Sequence, residues 1–368
     1  MTKRSYTILI TTLIFFLFVI SSLLAEPAKL SRIEPPDDLD IILTGNDIEL
    51  NWNTIPGATY YNIFRCGSVN GTYSIIDTTI DTSYVDTDAG LESKYFYYVT
   101  AVIDDGIEWI NIPAGTYTSG PGDTVKTIGY SYEIMKYGVT NQQYVDYLNE
   151  AYDEGDVWFY DGEVYGYYPG DDRIDPGDYI FYDKGSPSYG FNYGRIDWTG
   201  SHFKVKVPDD WEEGDFDDHP VVDVSWFGAW AFAQYHGWDL PTWPELEKAA
   251  RGMTGYDYPW GDTFDSTNAN YNYSNDPFEQ GTTPVGMYNG QTFLGFQTTN
   301  SPSHYGLYDM AGNVNQWTNT LHYPNQGPSF PARTMSQSSW GSINPVCWDN
   351  IGSNPPYCDY QLGFRCVK

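Results

Sequence analysis

The sequence predicts two domains, an all-β sandwich followed by a larger α+β domain in which irregular loops outnumber regular elements. Three observations carry this. The chain has 368 residues, more than one small core organises. From Ile33 to about Asp104, apolar and polar residues alternate in short runs divided by turn residues, as strands of a sandwich do. Beyond that point the chain is rich in Gly and Tyr (36 and 34 in the whole sequence), and helical spacing appears only in brief, capped stretches. A hydrophobic content of 41% is enough for packed cores.

At the N-terminus, Lys3 and Arg4 precede an apolar run from Ile8 to Leu24, with Ala25 before Glu26 and Pro27. A basic start, an apolar run and a small residue at its end describe a secretory signal peptide over 1–25. The run nearly reaches the ~20 residues of a membrane span, so an uncleaved anchor is the alternative. Both place the bulk of the chain outside the cytoplasm: secreted, periplasmic or on the cell surface.

The sandwich is assigned to 32–104. Ile48-Glu49-Leu50-Asn51-Trp52 alternates with period two, Pro56-Gly57 breaks it, and Tyr60–Arg65 resumes as a second strand. Ser83–Asp86 and Tyr95–Val102 supply further strands, and Asp104-Asp105-Gly106 closes the unit. The second domain, 107–368, opens on Trp109-Ile110-Asn111-Ile112. Thr140 is placed to cap a helix from Asn141 to about Ala151, with Tyr144, Tyr147 and Leu148 on its inner face. The Tyr-, Gly- and Asp-rich stretch up to Asp217 lacks helical periodicity and reads as hairpins and loops. A helix through Ala229, Ala231, Phe232 and Tyr235 follows. Thr242 with Glu245 three residues on forms a capping box; Pro244 suits the first turn and Gly252 the stop.

Charge excludes partners. The net charge is −31 with 18 basic residues, so the clustered Lys and Arg that displace counterions from nucleic acid are missing. Anionic membrane surfaces are disfavoured likewise, leaving membrane contact only through an uncleaved N-terminal segment. The acids serve calcium, a salt-tolerant surface or solubility. The four cysteines, Cys66, Cys347, Cys358 and Cys366, lead us to expect one C-terminal disulfide and two free thiols in an oxidising compartment. No Gly-x-Ser-x-Gly elbow supports a serine hydrolase.

Two resemblances sharpen these readings. Leu50-Asn51-Trp52, Gly57-Ala58-Thr59-Tyr60-Tyr61 and Tyr97–Ala101 make the first domain resemble fibronectin type III. The second domain carries an ordered series of motifs. Gly138-Val139-Thr140-Asn141 is followed by His219-Pro220-Val221 with Val224-Ser225-Trp226, then by Leu240-Pro241-Thr242 with Ala249–Gly252 and by Pro259-Trp260-Gly261. Gly306–Val314 and Gly363-Phe364-Arg365 complete it. Together they resemble the sulfatase-modifying-factor family of formylglycine-generating enzymes, which implies a C-type-lectin-like α+β fold.

Enzymes of that family oxidise a sulfatase cysteine using copper held by two thiolates, soft ligands suited to Cu(I). Aligned on Ser339-Trp340, the family pattern puts Ser342 at the first Cys position and Cys347 at the second, while Ser336, Gln337 and Ser338 replace Arg-Gly-Gly. A hydroxyl does not replace thiolate toward Cu(I). Copper is therefore doubtful, and Cys347 and Ser339 remain the catalytic candidates. The related iron-dependent sulfoxide synthases are excluded, because the five His offer no His-x-x-x-His pair. The resemblance also implies calcium. One site would use Asp309, Gly312, Val314 and Gln316; a second would use Asn270, Tyr271, Asp276 and Phe278. In each, hard oxygens come from side chains and carbonyls. The alternative is that Asp309 and Asn270 only cap turns.

Two functions follow. In the first, Trp340, Ser342, Asn344, Trp348, Asp349, Tyr357 and Tyr360 form a contact strip of aromatic and small polar groups, binding a protein or glycan ligand at the cell surface. This stretch also resembles the variable region of diversity-generating retroelement targets. In the second, the chain is a copper-dependent formylglycine-generating oxidase acting on sulfatase cysteines.

Overall fold

The structure is a computed structural model. It describes Pro36 and residues 38–368 apart from 56–57, 69–72, 88, 90–94, 103–105, 185–193, 279–280 and 324–330. The expected signal segment and the Pro56-Gly57 and Asp104-Asp105 breaks lie outside the described residues.

Six strands are described in the first region: β1 (Asp40–Thr44), β2 (Asp47–Asn51), β3 (Tyr60–Cys66), β4 (Ser74–Thr79), β5 (Ser83–Asp86) and β6 (Phe96–Val102). They form two antiparallel three-stranded sheets, β1-β2-β5 and β4-β3-β6. The inward residues of each alternation (Leu50, Trp52, Tyr61, Ile63, Tyr97, Val99) make one shared core. A polar staple joins the sheets: Asp86 on β5 accepts from Arg65 of β3 at 2.8 Å and from the Tyr97 hydroxyl of β6 at 2.7 Å. Both donors lie at the edge of the core, where an unpaired carboxylate would be costly.

The second region opens with β7 (Trp109–Ile112), which pairs with β10 (Tyr132–Met135), and the hairpin β8 (Gly115–Ser119)–β9 (Thr124–Ile128) between them. Helix α1 runs Asn141–Glu154, three residues longer than the sequence pattern predicts. Thr140 caps it reciprocally with Gln143, and Gly155 stops it in the left-handed region at φ 82°. Tyr144, Tyr147 and Leu148 face inward as the spacing requires. The Tyr-rich stretch folds into a sheet of β11 (Val157–Tyr160), β12 (Glu163–Tyr168) and β13 (Gly177–Asp183), and a hairpin of β14 (Ile196–Trp198) and β15 (Phe203–Val205).

Helices α2 (Trp226–Tyr235) and α3 (Trp243–Arg251) follow. The α3 capping box forms as expected, with Glu245 Oε2 accepting from the Thr242 amide at 2.7 Å. Buried charges on α3 tie it to the β8–β9 hairpin: Glu247 accepts from Ser119 Oγ at 2.7 Å, and Arg251 donates to the Gly120 carbonyl at 2.9 Å. After the small hairpin β16 (Thr292–Phe293)–β17 (Phe296–Gln297), a last sheet holds β18 (Asn315–Leu321), β19 (Arg333–Ser336), β20 (Asn350–Ser353) and β21 (Leu362–Gly363) in the order β20-β19-β18-β21. β21 runs parallel to β18, and the segment after it enters the core. Phe364 and Cys366 are fully buried, and their carbonyls accept from the amides of Val139 and Met135 at 2.9 and 3.0 Å.

The expected disulfide does not form; all four cysteines are free. Packing explains this for the buried pair. Cys347 sits in the cluster around Leu246 and Leu307, whereas Cys366 belongs to the larger cluster around Phe232 and Trp317.

Candidate functional site

Two fixed points bracket residues 341–360. At one end the Trp340 amide donates to the Asn313 carbonyl at 2.8 Å and Ser339, 1% exposed, donates its hydroxyl to Gln361 Oε1 at 2.6 Å. At the other end stands the buried β21 segment. Ser339 thus acts as a clasp between the two ends rather than as a group open to substrate. Between them the chain crosses the surface with β20 as its regular element. Asn344 and Tyr357 are exposed, Ser342, Trp348, Asp349 and Tyr360 half-buried, and Trp340 buried.

Local bonds set the strip's shape. The Ser342 hydroxyl accepts from the Ser339 amide at 3.0 Å, closing a tight turn. Asn344 accepts from the Tyr258 hydroxyl. The Trp348 indole donates to Asp257 at 2.8 Å, and Tyr357 donates to Asp359 at 2.7 Å. Asp349 holds its neighbour by accepting from the Asn350 amide at 3.0 Å. Trp340 and Tyr360 pack with ring centres 5.8 Å apart. The structure therefore brings the binding candidates onto one continuous strip, with Trp340 as its buried root.

Copper fits this arrangement poorly. Cys347 is buried, and its thiol faces the Asp257 carbonyl at 3.2 Å. Burial pushes the thiol up to about 12, with Arg251 offsetting only part of the effect. A thiol held protonated is a poor nucleophile at neutral pH, and copper would have to displace that proton to bind. The other family position is Ser342, a hard hydroxyl already committed to the Ser339 amide. No copper step is derived from these residues.

The two calcium tetrads differ. In the first, Asp309 and Gln316 meet, since Gln316 Nε2 donates to the Asp309 carbonyl at 3.0 Å. Gly312 turns the chain at φ 83° beside the Asn270 carbonyl, where a side chain would collide, and Val314 is buried behind it. The cation among them is Arg365. Its fully buried guanidinium reaches Gln316 Oε1 at 2.7 Å and the carbonyls of Met135, Lys136 and Tyr308 at 3.1, 3.1 and 2.9 Å. Burial lowers Arg365 to about 10, which leaves it charged at neutral pH. The amide oxygen of Gln316 is thus engaged by the protein's own cation.

The second tetrad fits a hard cation better. Among the described residues Asp276, 3% exposed, accepts only from neutral donors: the Phe278 amide at 2.9 Å, Ser274 Oγ at 2.5 Å and the Tyr288 hydroxyl at 3.4 Å. No ion pair to Asp276 forms among the described residues. A buried carboxylate without a counter-charge is expensive; Ser274 Oγ links Asp276 to the Tyr271 carbonyl, and Asn270 and Tyr271 carry the oxygen types calcium prefers. Asn270 is oriented by donating Nδ2 to the Gly281 carbonyl at 2.9 Å, and Phe278 is clamped between Trp211 and His219. The Asn272 amide donates to the Ser342 carbonyl at 3.1 Å, so this loop also supports the strip.

A cleft of about 500 Å³ lies elsewhere, lined by Tyr137, Thr140, Asp146, Asp218 and Gly286 among others. None of the sequence-derived candidates lines it.

The profile of the sulfatase-modifying factor enzyme 1-like domain matches residues 101–368. The chain belongs to that family. Among relatives of this family, the formylglycine-generating enzyme of Mycobacterium tuberculosis is 30% identical over 307 residues, covering 71% of this chain and 97% of the relative. The inactive C-alpha-formylglycine-generating enzyme 2 of Mus musculus is 35% identical over 160 residues, 40% of this chain and 49% of the relative. The chain thus spans about half the length of the mouse protein it matches. Of solved structures, that of CarF aligns at 19% identity and a TM-score of 0.45, covering 71% of this chain and 98% of CarF.

One residue of the family segment His219–Trp226 escaped the sequence reading. Asp223 is 4% exposed, adopts φ 61°, and has an Oδ2 with no hydrogen-bond partner among the described residues. Its backbone bridges two elements: the Asp183 amide of β13 donates to its carbonyl, and its own amide donates to the Asp359 carbonyl of the strip, both at 3.0 Å. Burial, with Asp183 and Asp359 nearby, pushes the carboxyl up to about 8. The same surroundings push the Cys358 thiol well up. A carboxylate inside the apolar run Val221-Val222-Asp223-Val224 was the available signal.

Proposed function

We propose that this protein is an extracytoplasmic binding protein on a formylglycine-generating-enzyme scaffold, one that does not carry out the oxidation. The observation that carries the reading is the state of the two metal positions. One is a hydroxyl engaged with the Ser339 amide, and the other is a buried thiol held on a carbonyl and pushed up to about 12. That a mouse relative is itself named inactive supports it.

On this reading the strip 341–360 contacts a protein or glycan ligand at the cell surface through Trp348, Tyr357 and Tyr360, with Asn344 and Asp349 adding polar contacts. Calcium bound at Asn270, Tyr271, Asp276 and Phe278 stiffens the loop beneath the strip. We read the six-stranded region as a fibronectin type III-like spacer, and the N-terminal apolar run as the export signal.

The test uses the full chain with reduced thiols, offered Cu(I) and a Cys-x-Pro-x-Arg peptide under oxygen. We expect no stoichiometric copper and no formylglycine. One copper per chain with oxygen-dependent turnover would overturn the reading.

A further inference from the structure

The sheet β11-β12-β13 has two unlike faces. Inward, Val157, Val164, Tyr168 and Phe181 join the main core. Outward, the strand alternation presents Trp158 and Tyr160 on β11 and Tyr165 and Tyr167 on β12. Trp158, Tyr160 and Tyr167 are 38%, 69% and 58% exposed. Trp158 and Tyr165 are direct cross-strand partners with rings 14° from parallel and centres 6.1 Å apart, so they form one platform. A concentration of exposed aromatics on one face, where single exposed residues are the norm, marks an interaction surface.

Charge identifies what such a face accepts. Glu163 accepts from the Tyr165 hydroxyl, which sets that ring, and lies across from Tyr160. Asp178 is exposed and lies across from Tyr167. Aromatic faces carry negative quadrupole density and attract ammonium and guanidinium groups, the more so beside carboxylates. The surrounding chain, at −31, steers cations toward it. Lys184 approaches the Gly162 tip of the hairpin, so an incoming cation is expected over Trp158 and Tyr167 rather than at the tip.

We propose that this aromatic sheet face is a second binding surface, independent of the C-terminal strip, for an arginine- or lysine-bearing extended segment of a partner protein. Guanidinium groups lie on the Trp158–Tyr165 platform and over Tyr167, with Glu163 and Asp178 as their counter-charges. The interaction weakens with salt.

The test titrates the full chain with an alternating Gly-Arg octapeptide, following tryptophan fluorescence and calorimetry. The double variant Trp158→Ala/Tyr167→Ala keeps every charge, and both residues are exposed, so circular dichroism should be unchanged. We expect its affinity for the peptide to fall at least tenfold, while Tyr357→Ala in the strip leaves it unaltered. Undiminished binding in the double variant would mean that diffuse negative charge alone attracts the peptide, and would overturn the proposal. So would the absence of peptide binding, or tighter, salt-independent binding of a neutral hexasaccharide to the same face.

Discussion

Replacing Asp223 with asparagine removes one ionisation and little else, which makes it the sharpest probe of the joint between β13 and the strip. Free in an unfolded chain, the carboxyl ionises near 3.8; in the fold it keeps its proton to about 8. Between those values the folded state holds one proton more than the unfolded state, so stability falls as pH rises. The contribution is complete below 3.8 and lost by about 8. At roughly 1.4 kcal/mol per pH unit, the loss across the window is about 6 kcal/mol. Asp223 is 4% exposed, so solvent screening takes little from this. The assay is urea denaturation of wild type and Asp223→Asn at pH 5 and pH 9. Subtracting the two proteins at each pH cancels the titrating groups remote from Asp223. Asp223→Asn is expected to gain several kcal/mol on wild type between the two conditions. Parallel pH profiles would refute the assignment of a retained proton to this carboxyl.

Two further outcomes follow from the cation sites. Arg365→Met removes the guanidinium that donates to the carbonyls of Met135 and Tyr308, and should cost about 3–5 kcal/mol of unfolding free energy in urea denaturation; Arg365→Lys should rescue little, since an ammonium lacks the planar fork. Calcium at about a hundredfold over its Kd should stabilise wild type by about 2.7 kcal/mol in a thermal melt. Asp276→Asn should abolish that rise and Gln316→Ala should keep it; the opposite pattern would return calcium to the Asp309 loop.

Local signals in the sequence were read well because their causes are local. The Thr242–Glu245 box formed as expected, and α1 began at its Thr140 cap. It ran on to Glu154 because the stop lies in Gly155, whose left-handed geometry ends the helix, rather than in the last apolar residue. The absence of a thiol at Ser342 was legible through the family resemblance, once the pattern was aligned on Ser339-Trp340. The role of Arg365 was not, because its acceptors at Met135 and Tyr308 come from elements far apart in sequence that meet only in the fold. The aromatic face was hidden for the same reason: hairpins were expected in that stretch, but strand register decides which rings share a side.

The frame around residues 341–360 has a consequence for how this stretch can change over generations. Single-residue replacements on the outer loops leave the flanking anchors alone, since Tyr357 and Asn344 lie at the surface. A slip of the reading frame is different. It would erase Phe364, Arg365 and Cys366, whose burial against residues 135–139 completes the interior. Any copying error of that kind would yield a chain unable to close, so the architecture itself screens out corrupted versions while tolerating a wide vocabulary of intact ones.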